Sequence, residues 1–160
     1  MDGIEIRRAT EADLRAAAAL RWAWVVEGKG ATPDGDRDDF VEHFVGWALS
    51  SRTHTCFVAV AAGADSDEGV VGMAWLAINE RVPSPRAFDR RNGDVQSVFV
   101  APAHRRRGVA SALIVAISDA ARQSGAERLT VHSSAEAVNT YARAGFQSSE
   151  ALRHQILTAL

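Results

Sequence analysis

Asp94-Val-Gln-Ser-Val-Phe-Val-Ala-Pro-Ala-His-Arg-Arg-Arg-Gly-Val-Ala-Ser111 is the stretch whose reading decides the fold. Val95, Val98, Phe99 and Val100 form a β-branched and aromatic run that predicts a short strand. Pro102 closes it, because proline has no N–H to give to a ladder. Past Gly108, the residues Val109, Leu113, Ala116, Ile117 and Ala120 recur at intervals of three and four, which predicts a helix. Gly125 stands where the C-terminal cap of that helix belongs. The turn between strand and helix carries Arg105, Arg106, Arg107 and Gly108.

That order has a chemical use. The first turn of a helix leaves amide N–H groups unpaired at the positive end of the macrodipole, so it attracts anions. Gly108 lets the backbone approach a ligand, Ala110 keeps the next amide accessible, and the arginines add forked donors that suit phosphate. A phosphate-bearing ligand is the expectation.

Arg105-x-x-Gly108-x-Ala110 resembles the Q/R-x-x-G-x-G/A signature of the GNAT superfamily of N-acetyltransferases. Val100-x-Pro102 before it and the long helix after it fit the same pattern. The resemblance implies acetyl-coenzyme A as co-substrate, its pyrophosphate held by the loop and helix start: Arg105, Arg106, Arg107, Gly108, Val109, Ala110 and Ser111. It also implies that the strand residues Val98, Phe99 and Val100 bind the pantetheine arm and orient the thioester.

A second element, Tyr141-x-x-x-Gly145-Phe146 preceded by Ala137, resembles the family's N-x-x-A-x-x-L-Y-x-x-x-G-F. Ser134 stands where relatives often carry a cofactor-contacting asparagine, and Thr140 replaces the leucine. Tyr141, the only tyrosine in the chain, is retained.

Acetyl transfer to an amine makes two demands. An amine with a pKa of about 10.4 must lose a proton before it attacks, and the departing thiolate must be stabilised. A phenol, protonated at neutral pH with a pKa of about 10, can donate to that sulfur, which makes Tyr141 the candidate general acid. For the base, many relatives place a glutamate four residues before the position of Val100. Here that position is Gln96, which cannot take a proton but can orient a water. A water-mediated route through Gln96 is the first candidate and Glu80 the next, with Asp94, His132, Glu27 and Glu42 as alternatives.

Composition bounds the rest. The chain has 160 residues, 47% hydrophobic and 24% charged, with a net charge of −2. That is one soluble domain spanning residues 1–160 and no general nucleic-acid binder, which would be strongly basic. Charge is unevenly placed: residues 27–42 hold six acids against two bases, and residues 81–107 hold seven arginines against two aspartates. An anionic co-substrate on one side and a cationic acceptor on the other would suit this separation. Cys56 is the only cysteine, so no internal disulfide forms and a cytoplasmic location is expected. No segment reads as a signal peptide or a membrane span. The five histidines lack metal-ligand spacing, so no metal site is expected.

Taken in order, Ile4 and Ile6 alternate with polar residues as a first strand. Thr10 caps a helix running to about Val26, with Asp13 as the capping-box acid. A second helix spans about Arg37 to Ser51. Cys56–Ala61 and Val70–Ile78 read as a hairpin, and Asn79–Gly93 as a long loop and possible lid. The central strand and helix follow, then a strand Arg128–His132, a helix Ala135–Ala144, an extended piece from Phe146 and a last strand Arg153–Thr158. The residue pattern alone implies one mixed α/β domain. The resemblance implies the GNAT fold: a central mixed, mostly antiparallel sheet with helices on both faces, in the order β-α-α-β-β-β-α-β-α-β-β.

Two functions remain open. One is an acetyl-CoA-dependent N-acetyltransferase acting on a small-molecule or peptide amine. The other is an acyl-CoA-binding module of the same fold with little catalysis. Neither nucleic acid nor membrane is an expected partner, and the resemblance allows a monomer or a homodimer.

Overall fold

The computed structural model describes residues 3–63 and 69–155. Five strands lie in one sheet in the order β1-β2-β3-β4-β5: β1 Ile4–Arg8, β2 His54–Ala61, β3 Val70–Arg81, β4 Arg90–Val100 and β5 Ala126–Val131. The first three neighbour pairs are antiparallel and the fourth, β4 with β5, is parallel. A parallel neighbour requires a crossover, and α3 (Val109–Gln123) supplies it. The chain is a mixed α/β fold.

Helices cover both faces. On one, α3 buries Val109, Leu113 and Ile117, expected from sequence, together with Ile114 and Ala121, against Leu76, Val95 and Val100, while the expected Ala116 and Ala120 are only partly buried. The short α4 (Val138–Arg143) adds Tyr141 to the same cluster. On the other face, α1 (Leu14–Trp22) sets Leu14 and Ala17 against Val58, Met73 and Trp75. There α2 (Arg37–Ser50) brings in Phe44, Val45 and Ala48. Gly93 leaves room for the leucines of the two neighbouring strands: a Cβ there would lie 2.7 Å from Leu129 Cδ1 and 3.3 Å from Leu76 Cδ1.

Several expected boundaries change. The loop expected over Asn79–Gly93 shortens to residues 82–89, and its two ends are strand. β3 and β4 continue as a hairpin through Asn79↔Asn92, Glu80↔Arg91 and Arg81↔Arg90. This outer part projects beyond the core, so its strands carry charge instead of apolar alternation. Glu127 holds it by accepting from Arg81 Nη1 at 2.7 Å and Arg90 Nε at 2.8 Å. The first helix also divides: a 3₁₀ turn (Glu11–Asp13) precedes α1, and a π turn (Ala23–Glu27) follows it, closed by Gly28 N–H donating to the Ala23 carbonyl at 2.8 Å. The residues of the predicted helix Ala135–Ala144 begin as a 3₁₀ turn, Ala135–Ala137. No strand forms over residues 147–155, and the rest of the expected last strand, 156–158, lies outside the described residues.

Asp13 is completely buried yet charged. Arg7 grips it with two parallel bonds, Nη1 to Oδ2 at 2.6 Å and Nη2 to Oδ1 at 2.8 Å. The Thr10 N–H and hydroxyl both donate to Oδ2 at 2.7 Å. The fork from Arg7, helped by Thr10, holds the Asp13 carboxyl down at about 2. Because the folded carboxyl binds its proton less tightly than the unfolded one, its contribution is present above pH ~4 and is lost as pH falls towards ~2. That contribution is about 2 kcal/mol. Asp13→Asn is expected to lower stability at pH 7 by about 3 kcal/mol by leaving Arg7 unpaired. Urea unfolding from pH 7 down to pH ~3 checks this: the wild type loses stability on acidification, and the variant follows a flatter profile.

Candidate active site

The site begins where two neighbouring strands part. β4 pairs with β5 from Arg91↔Ala126 to Val95↔Val131. Beyond that, β4 runs on to Val100 with β3 alone as its partner, through Met73↔Phe99 and Gly72↔Val100. The register between β3 and β4 slips between Met73 and Trp75, and inside the slip Ser97 takes φ 52°. A non-glycine residue in the left-handed region is uncommon, and here it marks a β-bulge that re-aims the strand. Backbone groups of Gln96–Val100 therefore face an opening that no described strand fills.

The basic turn closes one end of this opening. Arg106 has φ 61° and Gly108 has φ 82°, with Arg107 between them outside that region. Alternation of this kind turns successive N–H groups into one concavity that suits an anion, and it leads directly into α3. Gly108 is the N-cap of α3 at φ 82°, ψ 0°, a conformation that disfavours any side chain. The arginines do not act alike. Arg105 Nε donates to the Val100 carbonyl at 3.0 Å, and its guanidinium lies 5.5 Å from the centre of the Phe99 ring. It fastens the turn to β4, a role that its place in the motif did not announce. Arg107 Nη1 and His104 Nδ1 lie 3.5 Å apart.

Tyr141 enters from α4. Its ring packs edge-on against Phe146, with centroids 5.3 Å apart, in the cluster that holds Val98, Val100, Val109 and Ala110. Burial raises its pKa, so the phenol keeps its proton at neutral pH. Ser134 is exposed and begins the turn before α4, where its carbonyl accepts from Ala137 N–H at 3.0 Å.

Gln96 lies on the opposite face. It pairs with Trp75, so both side chains stand on the side covered by α1 and α2. Gln96 Nε2 donates to Asp94 Oδ2 at 2.9 Å, and Thr130 Oγ1 donates to Asp94 Oδ1 at 3.2 Å. A carboxylate is thus fixed on β4 near the point of parting. Glu80 is not brought there: it is exposed on the outer hairpin, opposite Arg91. Thr130 and Ser97 were missed by sequence reasoning, since neither belongs to a motif. Among the described residues no group of three or more His, Cys, Asp or Glu could hold a metal ion, and no helix is long and apolar enough to cross a membrane.

The model of the acetyltransferase (GNAT) family matches residues 16–146. The chain belongs to this family. No curated protein matches it in sequence. Among solved structures, an acetyltransferase of Trypanosoma brucei is 21% identical, with a TM-score of 0.72 over 96% of this chain and 99% of its own. A predicted acetyltransferase of Clostridium acetobutylicum, solved with acetyl-CoA, is 17% identical, with a TM-score of 0.73 over 96% of both chains. AAC(6')-Iy, solved with the bisubstrate analogue CoA-S-monomethyl-acetylneamine, is 20% identical, with a TM-score of 0.70 over 98% of this GNAT chain and 99% of its own. At these identities the likeness is one of fold.

Proposed function

We propose that this GNAT protein transfers the acetyl group of acetyl-CoA to a primary amine by direct attack. The observation that carries the reading is the parting of β4 from β5 at Val95 and Val131, with the Arg106–Gly108 concavity at one end and Tyr141 packed beside it. An extended pantetheine arm would add to the free edge of β4 over Val98–Val100 as a strand does, with the pyrophosphate at the N–H groups of Arg106–Ser111. The acetyl-CoA of the Clostridium neighbour and the CoA-linked amine analogue of AAC(6')-Iy support the same reading.

Because the gap lies between strands, a thioester within it is open to both faces. From the side of Gln96 and Asp94 comes the amine, whose nitrogen forms a bond to the carbonyl carbon. Its proton passes through a water oriented by Gln96 towards the Asp94 carboxylate. From the side of α4, Tyr141 donates to the sulfur as the C–S bond breaks, and CoA leaves as the thiol. N–H groups on β4 near Val98 polarise the carbonyl, while holding the two reactants in line removes several kcal/mol of barrier. Gln96 is a positioning residue in this scheme, and Glu80 has no part.

Incubation with acetyl-CoA and a panel of small primary amines and N-terminal peptides tests it. Thiol release that depends on the amine, matched by acetylated product in the mass spectrum, is the expected result. Acetyl-CoA binding without amine-dependent thiol release on any acceptor would leave an acyl-CoA-binding module instead.

A further inference from the structure

Of the 18 lysines and arginines in the chain, 17 are arginines and one is a lysine, Lys29. A guanidinium stays protonated and does not attack a thioester, whereas a lysine amine attacks once it has lost a proton. Lys29 is therefore the one side chain that offers the nucleophile consumed by the proposed reaction.

Its position follows from the π turn. Gly28 N–H donates to the Ala23 carbonyl at 2.8 Å, Gly30 N–H to the Val26 carbonyl at 2.9 Å and Ala31 N–H to the Val25 carbonyl at 3.2 Å. These bonds hold Lys29 at the end of the turn, exposed and between two glycines. The same turn lays Trp24 on Phe99 of β4, the rings within 16° of parallel and their centroids 5.4 Å apart. Lys29 Nζ lies 4.8 Å from the centre of that Trp24 ring. Phe99 belongs to the β4 segment proposed to bind the pantetheine arm. It pairs with Met73 as Gln96 pairs with Trp75, and both partners stand on the face covered by α1 and α2. Contacts thus lead from the Lys29 ammonium through Trp24 to β4, on the side from which the amine approaches.

Little else holds that ammonium. Lys29 enters no ion pair among the described residues. The Arg21 guanidinium shares the Trp24 ring at the same distance of 4.8 Å, so two like charges compete for one weak, exposed cation–π contact. A flexible four-carbon stem can leave it at small cost.

We infer that Lys29 is a modification site, acetylated by the acetyl-CoA bound to its own chain. Nζ gives one proton to water, the nitrogen bonds to the carbonyl carbon and the C–S bond breaks. The nitrogen sheds a second proton and the sulfur takes one, which leaves an amide, CoA as the thiol and one free proton. The amide is neutral, so the contact with Trp24 is lost on modification. The inference rests on the transferase reading.

Intact-mass measurement after incubation with acetyl-CoA is the test, with peptide mapping to separate Lys29 from the α-amine. One acetyl group on Lys29 is expected, added with a first-order rate constant that does not change when the protein is diluted about tenfold, as for a reaction within one chain. CoA in about tenfold excess over acetyl-CoA fills the site but leaves free thioester in solution, and should slow the addition by about tenfold. Lys29→Arg should keep its melting temperature and its turnover of free amines. Turnover of free amines with Lys29 unmodified, a rate constant that rises with protein concentration, or acetylation that excess CoA leaves untouched would overturn the inference alone. Acetylation of no amine, Lys29 included, would remove the transferase reading and the inference with it.

Discussion

Tyr141→Phe is expected to lower kcat by about a hundredfold, the lower end of what a positioned general acid contributes. The dissociation constant for acetyl-CoA should stay within about threefold, since the lost interaction strengthens only as the thiolate forms. The ring of the variant keeps its edge-on packing against Phe146 and its place among Val98, Val100 and Val109, so stability changes little. The pH profile gives a second readout. Burial raises the phenol's pKa, so the wild-type rate should show no alkaline fall from Tyr141 until pH passes the ordinary phenol value of about 10. A variant with wild-type kcat would remove Tyr141 from the chemistry and leave it a packing residue.

Gly108→Val carries the second large effect. At φ 82° a side chain costs about 1–2 kcal/mol of backbone strain, and the Cβ adds bulk at the N–H groups proposed to hold the pyrophosphate. Acetyl-CoA affinity should fall by about ten- to a hundredfold, each tenfold step being worth about 1.4 kcal/mol. Gly125→Val provides the control: it has φ 73° and open space around it, at the other end of α3. It shares the strain without the blocked contact, so it should lower the melting temperature and leave affinity unchanged. Equal losses of affinity in both variants would mean that strain alone is being measured.

The parts of this site legible in sequence are those whose chemistry is local. A strand, a Pro, a glycine and an apolar period of three to four residues dictate the β4–turn–α3 unit without help from the rest of the chain, and Tyr141 came with a similarly compact motif. Thr10 and Asp13 were readable as a capping pair for the same reason. The Arg7 fork on Asp13 was not, since it joins β1 to the helix start through tertiary packing.

Where position in the sheet decides, sequence carried less. The outer hairpin, Asn79–Gly93, read as loop because its strands extend past the core and need no apolar face; ion pairs to Glu127 replace it. Arg105 carries a motif letter associated with phosphate, yet its Nε is committed to Val100, a bond that depends on how tightly the turn folds back. Ser97 has no signature at all: its positive φ is imposed by the register slip against β3. Glu80, the next candidate base after Gln96, fell in the segment read as a loop, and pairing with Arg91 carries it onto the outer hairpin.

Calorimetric titration of acetyl-CoA into the purified protein tests the account most directly. A dissociation constant in the micromolar range, about −8 kcal/mol, weakened by Gly108→Val and retained in Tyr141→Phe, is the predicted result. Absence of binding by the unaltered protein would contradict it, and the β4–β5 gap would then belong to a family member that has kept the fold without the acetyl donor.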